Sequence, residues 1–285
     1  MRGLVLYIFV ILSFSSYSFC NEDNNLSIEN NTTEKSKELF FEETSQNNIT
    51  KEEKLIYLNV FTSLGIIAYG VEHWGYSTDI EPHTQNEGWF GAGTEEGGAD
   101  KFGHAYTGYS MAHTYASIYE SWGYDKDNAA LYGAWSSFGF TSIMEFGDSF
   151  SDYGISYEDM IVNTLGALFG YVSYKYPYIG DKIDFRIEYK LHKKMWEKDF
   201  LTDYENAKYL FALKGSGFKS LESSKYMKYF ELYLGYYVRG FKPRRIDRER
   251  NLFIGLGVNL SELLDTKIFK YYQIPKSYIN TTDKL

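Results

Sequence analysis

The sequence predicts a mainly α fold, with a compact four-helix core at about residues 55–180, followed by amphipathic helices and a C-terminal β-hairpin. Long apolar stretches with helical spacing predict the core, and only 4 Pro interrupt the 285 residues. Near the C-terminus the apolar residues switch to alternation, which is typical of strands. A chain of this length with 44% hydrophobic residues can bury one substantial core plus appendages.

The first 52 residues precede the predicted fold. Residues 1–20 are typical of a signal peptide, because Arg2 comes before the apolar run Leu4–Leu12 and small polar residues follow. Residues 21–52 are rich in Asn, Glu, Ser and Thr and lack an apolar period, which predicts a disordered acidic spacer. We therefore expect an exported protein, located in the periplasm or the membrane-associated cell envelope.

Cys20 is the single cysteine and stands at the end of the signal segment. A lipid-modified cysteine is found at this place in bacterial lipoproteins, but Phe19 occupies a position where such signals normally have a small residue. Lipidation of Cys20 and cleavage beside Ser18 or Cys20 by an ordinary signal peptidase are therefore both open. With one cysteine, no internal disulfide can form.

Four stretches with helical patterns make up the predicted core, within a domain of residues 53–180. They are Leu55–Val71, about Ala99–Ser121, about Asp127–Asp148 and Tyr157–Tyr176. The first, at 17 residues, is marginal for crossing a bilayer, which takes about 20, so a buried core helix and a membrane span are both open. Ser156 and Asp159 have capping-box spacing at the start of the last helix.

The rest of the chain predicts two kinds of element before a tail at residues 265–285. Charges interleaved with aromatics at residues 181–224 predict amphipathic helices that lie on the core or on a membrane surface. Residues 225–264 predict a β-hairpin, because Leu252–Ser261 alternates and Phe230–Phe241 can pair with it. Such a hairpin packs on the helices, pairs with a second copy in a homo-oligomer, or lies against lipid.

Composition limits the partners of the chain. The net charge is -9 and the dense basic run is confined to residues 244–250, so nucleic acid is not expected. Aromatic residues make up 19% of the chain, with 28 Tyr, and Tyr and Trp favour the boundary between apolar and wet surroundings. We therefore expect a membrane or another envelope component as the partner.

Three of the predicted helices carry polar stripes. Each stripe pairs two reactive or polar residues at helical spacing, so both lie on one helix face. The pairs are Asp100 and His104, Glu145 and Asp148, and Asp159 and Asn163. If the three stripes turn inward, they converge on one pocket.

Such a pocket would hold more carboxylates than can stay ionised without a cation. Asp100, His104 and Glu145 are the predicted metal ligands, and their donor atoms suit a divalent ion such as manganese, magnesium, iron or zinc. Without a metal the same residues form an acid–base set. Asp148 would orient His104 or activate water, so these four residues are the predicted catalytic group.

Four further residues are expected to bind or to complete a network, namely Lys101, Asp152, Asp159 and Asn163. Lys101 either neutralises a neighbouring carboxylate or reaches solvent, and Asp152 hangs from the loop after the third helix. Purely structural roles are open as well. Asp100 can cap its helix, and Asn163 can bridge two helices by hydrogen bonds.

A resemblance to a known family rests on three motifs. They are Gly88-Trp89-Phe90-Gly91, the run Gly97-Gly98-Ala99-Asp100-Lys101-Phe102-Gly103-His104, and the later Glu145, Asp148, Asp159, Asn163 and Gly166. Over about residues 55–180 the chain resembles the YfiM-like predicted periplasmic lipoproteins. The same order is similar, more faintly, to the VanZ-like membrane proteins, although Asp148 stands where that pattern usually has Gln. Neither resemblance implies a known reaction.

Two functions are therefore open. One is an envelope scaffold, in which the polar residues form a buried network that fixes helix register while the aromatic surface and the hairpin bind a membrane or a partner. The other is a metal-dependent hydrolase or transferase that acts on an envelope lipid or glycan ester.

Overall fold

The computed structural model describes residues 49–192, 201–242 and 247–280. The predicted signal peptide with Cys20, nearly all of the acidic spacer, part of the basic run and the last residues of the tail lie outside this part of the chain. Seven α-helices and seven strands are described here. The helices are α1 Lys51–Tyr69, α2 Ala99–Ser121, α3 Lys126–Asp148, α4 Tyr157–Lys175, α5 Pro177–Gly180, α6 Lys219–Glu222 and α7 Leu260–Leu264. The strands are β1 Thr84–Gln85, β2 Ile155–Ser156, β3 Ile183–Tyr189, β4 Ala207–Lys214, β5 Phe230–Arg239, β6 Glu249–Val258 and β7 Tyr278–Asn280.

Three helices, α2, α3 and α4, pack closely on one another because small residues lie where they meet. A Cβ on Gly108 of α2 would stand 2.7 Å from the backbone oxygen of Asn163 in α4, and one on Gly133 of α3 would stand 2.6 Å from the backbone nitrogen of Ala116. The hydroxyl of Ser137 adds a bond between α3 and α2, since it donates to the carbonyl of Gly108 over 2.7 Å. The polar ends of the three helices are thereby brought together.

The first helix does not belong to this compact group, so the predicted four-helix core is wrong. Ile66 is its one buried residue within Lys51–Tyr69, and most of its apolar side chains are exposed. A single π-helical turn, Gly70–Trp74, extends it. Together they form the one helix in the described residues that is long and apolar enough to cross a membrane.

The second correction to the predicted fold class concerns residues 181–224, where the described residues 181–192 and 201–224 form strands and short turns and not amphipathic helices. They contribute β3 and β4 to a five-stranded antiparallel sheet in the order β3-β4-β5-β6-β7. In β3 the apolar Phe185 and the charged Asp184 and Arg186 are all buried, because both faces of this strand are covered. A strand of this kind shows charges interleaved with aromatics, the same composition as an amphipathic helix.

The two strands predicted as a hairpin lie inside this sheet. β5 and β6 pair antiparallel from Phe230 opposite Val258 to Arg239 opposite Glu249. β4 pairs with the free side of β5, and β7 with the free side of β6. Within the described residues, the edge of β5 is therefore largely occupied, whereas that of β6 is occupied only at Gly255–Gly257.

The sheet and α1 pack on opposite sides of α2. Phe102 and Tyr106 of α2 belong to the apolar cluster with the sheet, whereas Met111 and Tyr115 belong to the cluster with α1. Members of the two pairs are nine residues apart, which is two and a half turns at about 3.6 residues per turn. The central helix is therefore covered on one side by strands and on the other by α1.

Candidate functional site

Four chain segments meet at one end of the helical layer, and local sequence signals explain why each begins or ends there. Gly98 stands before α2 with a φ of 87°, a left-handed conformation that glycine adopts at little cost. Ser156 caps α4, since its hydroxyl accepts a hydrogen bond from the backbone N–H of Asp159 at 3.2 Å. β1 and β2 pair in parallel and hold the loop before Gly98 against the start of α4. The end of α3 completes the site.

Lys101 lies at the centre of one half of the site. Its Nζ is 2.6 Å from Oε2 of Glu87, 2.7 Å from Oδ2 of Asp100 and 2.8 Å from Oδ1 of Asp159. These carboxylates come from the loop, from α2 and from α4. The side chain of Lys101 is 1% exposed, so it does not reach solvent, which was one of its two sequence-based interpretations.

His104 occupies the other half of the site. Its Nδ1 is 3.3 Å from Oδ1 of Asn163 and 3.3 Å from Oε1 of Glu145, so the hydrogen on Nδ1 faces two acceptors. Its Nε2 is 3.8 Å from Oδ1 of Asp159. Asn163 also donates from Nδ2 to Glu145 over 3.1 Å. The imidazole is therefore oriented by α3 and α4 together, and its side chain keeps 22% exposure to solvent.

The acids near His104 hold their protons more tightly than usual. Burial raises the pKa of Glu145 to about 7, and the charges of Asp159 and Asp148 add to the rise. Burial likewise raises the pKa of Asp148 to about 6. For His104, burial works to lower the pKa, but the charges of Asp159, Glu145 and Asp100 together raise it. A proton is thus shared within this group near neutral pH.

The carboxyl groups around Lys101 also have shifted pKa values, and the shifts of Glu87 and Asp159 are opposite in direction. Burial raises the pKa of Glu87 to about 8, and its hydrogen bond with Asp159 adds to this effect. Burial also acts on Asp159, yet the positive charges of His104 and Lys101 outweigh it and lower its pKa. Asp159 is therefore the ionised member of this pair, and Glu87 carries the proton.

The remaining predicted residues lie at the margin of the site. Asp148 lies beside the hydroxyl of Tyr76, and the predicted task of orienting His104 is performed by Asn163 and Glu145. The side chain of Asp152 is exposed in the loop between α3 and β2.

Three contributors to the site were not predicted from the sequence. Glu87 sits in a loop without periodicity, and Tyr76 follows the π-helical turn, so no pattern marked either residue. Glu158 is fully buried and accepts hydrogen bonds from the N–H of Gly88 at 3.0 Å and from the hydroxyl of Ser156 at 3.1 Å. In the sequence Glu158 lies between the capping residues Ser156 and Asp159. The presence of this additional acid within the cap was the available signal.

Within the described part of the chain, two groups of side chains could each hold a metal ion, and Asp159 belongs to both. In the first, His104, Glu145 and Asp159 place one ligand atom each within 4.8 Å of one another. In the second, Glu87 and Asp100 join Asp159. The ammonium of Lys101 already lies among the second group. The first group therefore suits a cation better, with Asp159 in the place predicted for Asp100.

Comparison with known proteins identifies part of the chain. Residues 86–175 match the model of a family described as "Predicted periplasmic lipoprotein (DUF2279)". The predicted resemblance to YfiM-like periplasmic lipoproteins and the predicted location, exported and in the periplasm or cell envelope, are thereby confirmed. The match includes the loop, α2, α3 and α4, and so every residue of both candidate metal groups. No curated protein and no solved structure matches the chain.

Proposed function

We propose that this periplasmic, envelope-associated protein is a scaffold in which the buried polar cluster fixes the positions of its helices. Its apolar outer surfaces would contact a membrane or another envelope component. Because β7 covers only Gly255–Gly257 of the β6 edge in the described residues, a homo-oligomer formed through the β5–β6 hairpin would use the rest of that edge or the outer face.

One observation carries this proposal, the position of the Lys101 ammonium. It is buried and lies within 2.8 Å of carboxyl groups from three separate segments. Burying a charge is costly unless its partners are also in place, so the arrangement is stable only when all three segments are correctly positioned. A network of this kind specifies one packing of the loop, α2 and α4.

A second candidate function is a metal-dependent hydrolase or transferase acting on an envelope lipid or glycan ester. It is favoured by the group of His104, Glu145 and Asp159, which brings three potential ligand atoms together beside a partly exposed imidazole. A divalent ion held there would polarise an ester carbonyl or lower the pKa of a bound water. Glu145, with its raised pKa, could then accept a proton near neutral pH.

Elemental analysis of the pure protein separates the two functions. The chain would be compared with His104→Ala and with His83→Ala, a matched control that alters an exposed histidine outside the cluster. Both variants would first be shown to fold by circular dichroism. The scaffold proposal expects no stoichiometric metal in any of the three proteins, and envelope function in cells that survives His104→Ala.

The enzyme would give a different pattern. About one metal per chain, present in His83→Ala and lost in folded His104→Ala together with the function in cells, would overturn the scaffold proposal.

A further inference from the structure

The polarity of α1 is reversed with respect to a helix of a water-soluble protein. Its polar residues face the protein, since Asn59 donates from Nδ2 to the hydroxyl of Tyr119 at 2.6 Å and the hydroxyl of Thr62 lies 2.5 Å from that of Tyr115. Most of its apolar residues face outward, although Leu55, Leu58 and Ile66 pack inward. Helices on a soluble protein normally bury their apolar stripe, whereas hydrogen bonds between polar groups of adjacent helices are common in membranes.

The outward side of α1 is a continuous apolar surface. Each of its seven large side chains is between 45% and 61% exposed. They are Ile56, Tyr57, Val60, Phe61, Leu64, Ile67 and Val71. No charged residue occurs from Leu55 to Val71, a length of about 25 Å at ~1.5 Å per residue, close to the ~30 Å hydrocarbon layer of a bilayer.

The β5–β6 hairpin shows the same reversal. Glu231 and Asn251 point to its buried side, where Arg186 forms hydrogen bonds with both carboxylate oxygens of Glu231 at 2.7 and 2.9 Å. The outer face is apolar, and its four central side chains are between 40% and 49% exposed. They are Leu232, Leu234, Leu252 and Ile254.

These two surfaces are separate patches, because α1 covers Met111 and Tyr115 of α2, whereas the outer face of the hairpin continues into Tyr236, which stacks on Phe102 of α2. A partner that covers only one of these patches would leave the other in water. Lipid surrounds whatever is inserted into it and covers both patches at once. Exposed apolar surfaces of this extent are otherwise an aggregation liability.

We infer that the outer faces of α1 and of the β5–β6 hairpin are seated among the acyl chains of a lipid bilayer. The attachment is hydrophobic, since both faces lack charged side chains over the residues that carry it. This inference deepens the proposed function and rests on it for the envelope location. It does not depend on the polar cluster, so its test can fail while the scaffold proposal stands, and the reverse also holds.

Quenching by brominated lipid tests the inference directly. With Cys20→Ser as the background the chain has no cysteine, so single cysteines can be introduced for a bimane label. Leu64→Cys reports on α1 and Leu234→Cys on the hairpin. Ser223→Cys is the control, at an exposed position in a charged segment outside both surfaces. Each labelled protein is reconstituted with phosphatidylcholine vesicles, with or without bromine on the acyl chains.

We expect bromine to reduce the fluorescence at positions 64 and 234 several-fold and to leave position 223 unchanged. Aqueous iodide should quench position 223 alone. Quenching of positions 64 and 234 by iodide but not by bromolipid would overturn the inference. Protection of both positions from both quenchers would also overturn it, because a second copy of the chain would then cover these surfaces.

Discussion

At the residue scale, the packing of the site depends on the ammonium group of Lys101. It contacts one acid from the loop, one from its own helix and one from α4, all within 2.8 Å. Without the ammonium these carboxylates would face one another in a site from which water is largely excluded. The positive charge of Lys101 is therefore what permits Asp159 to remain ionised beside Glu87.

The raised pKa values predict that stability declines as the pH rises. Between the ordinary value of 4.5 and about 8, Glu87 keeps a proton in the folded chain that it has lost in the unfolded chain, and Glu145 does so up to about 7. The folded state thus binds more protons, so the free energy of unfolding should fall from pH 5 to pH 8. Denaturant titrations at several pH values measure this slope.

Glu87→Gln should flatten that slope, because the variant removes one titrating group. The effect of one proton is at most about 1.4 kcal/mol per pH unit. Glu81→Gln, which alters an exposed acid in the same loop, should leave the slope as it is. If Glu87→Gln and the parent show parallel slopes, Glu87 does not hold the proton assigned to it.

Periodicity predicted well which residues share a helix face and poorly what lies in loops. Asp100, His104, Glu145, Asp159 and Asn163 come together because each sits on an inward stripe that can be read at helical spacing. The loop residue that completes the site is fixed by the pairing of β1 with β2 and by a buried glutamate, which are contacts distant in sequence. Lys101 follows Asp100 directly, so periodicity gave no sign that it also turns inward.

At the scale of elements, close contact between α2 and α4 positions the cluster. Gly166 of α4 faces the carbonyl of Ala105, and Gly108 of α2 faces the backbone of α4 at Asn163. Any side chain larger than hydrogen at these points would move the helices apart. The stripes that carry His104 and Asn163 would then separate.

Gly166→Ala should therefore destabilise the protein, since the added methyl group meets backbone rather than a flexible side chain. Overpacking of this kind costs about 1–3 kcal/mol. Gly139→Ala in α3 is the matched control, because a Cβ there meets nothing within 4 Å. The control should be neutral or stabilising by up to about 1 kcal/mol, in line with helix propensity. Thermal unfolding compares the two, and equal stability of both variants would contradict the close approach.

The sheet shows where element-level prediction fails. The charges interleaved with aromatics in β3 predicted an amphipathic helix, but Asp184, Arg186 and Glu188 are buried in a strand. Arg186 pairs with Asp184 and Glu231, and Tyr278 donates to Glu188 over 2.7 Å. Glu231 and Tyr278 lie on β5 and β7, so the sequence of β3 alone could not reveal that its charges are satisfied inside.

At the scale of the whole molecule, the sheet closes on itself. The N–H of Ile187 in β3 donates to the carbonyl of Tyr271 at 3.0 Å, and the N–H of Gln273 donates back to Ile187 at 2.9 Å. A few residues later β7 pairs with β6. Residues 271–280, part of the predicted tail, thus join the two ends of the sheet, and the charges inside it are sealed from water.

The helices and this closed sheet share one feature, because each buries charged groups beside its apolar core and exposes apolar side chains on part of its outer surface. The high content of Tyr and Phe in the sequence already indicated exposed apolar surface. Hydropathy averaged over the chain could not indicate this surface. Charged residues buried in the cluster and in the sheet count in that average as if they faced water. Only the pairing of distant residues shows which charges are internal.

Lys101→Met tests the central claim, that one buried ammonium holds three segments together. We expect the free energy of unfolding to fall by about 3–5 kcal/mol, because the buried charge of Asp159 loses its closest cation and the neighbouring carboxyl groups lose their shared donor. Lys54→Met, at the exposed start of α1, is the control and should stay within about 0.5 kcal/mol of the parent. In hydrogen exchange, residues 86–104 and 155–165 should lose protection while β5 and β6 keep theirs. A Lys101→Met protein as stable as the parent, with unchanged exchange in both segments, would contradict the account.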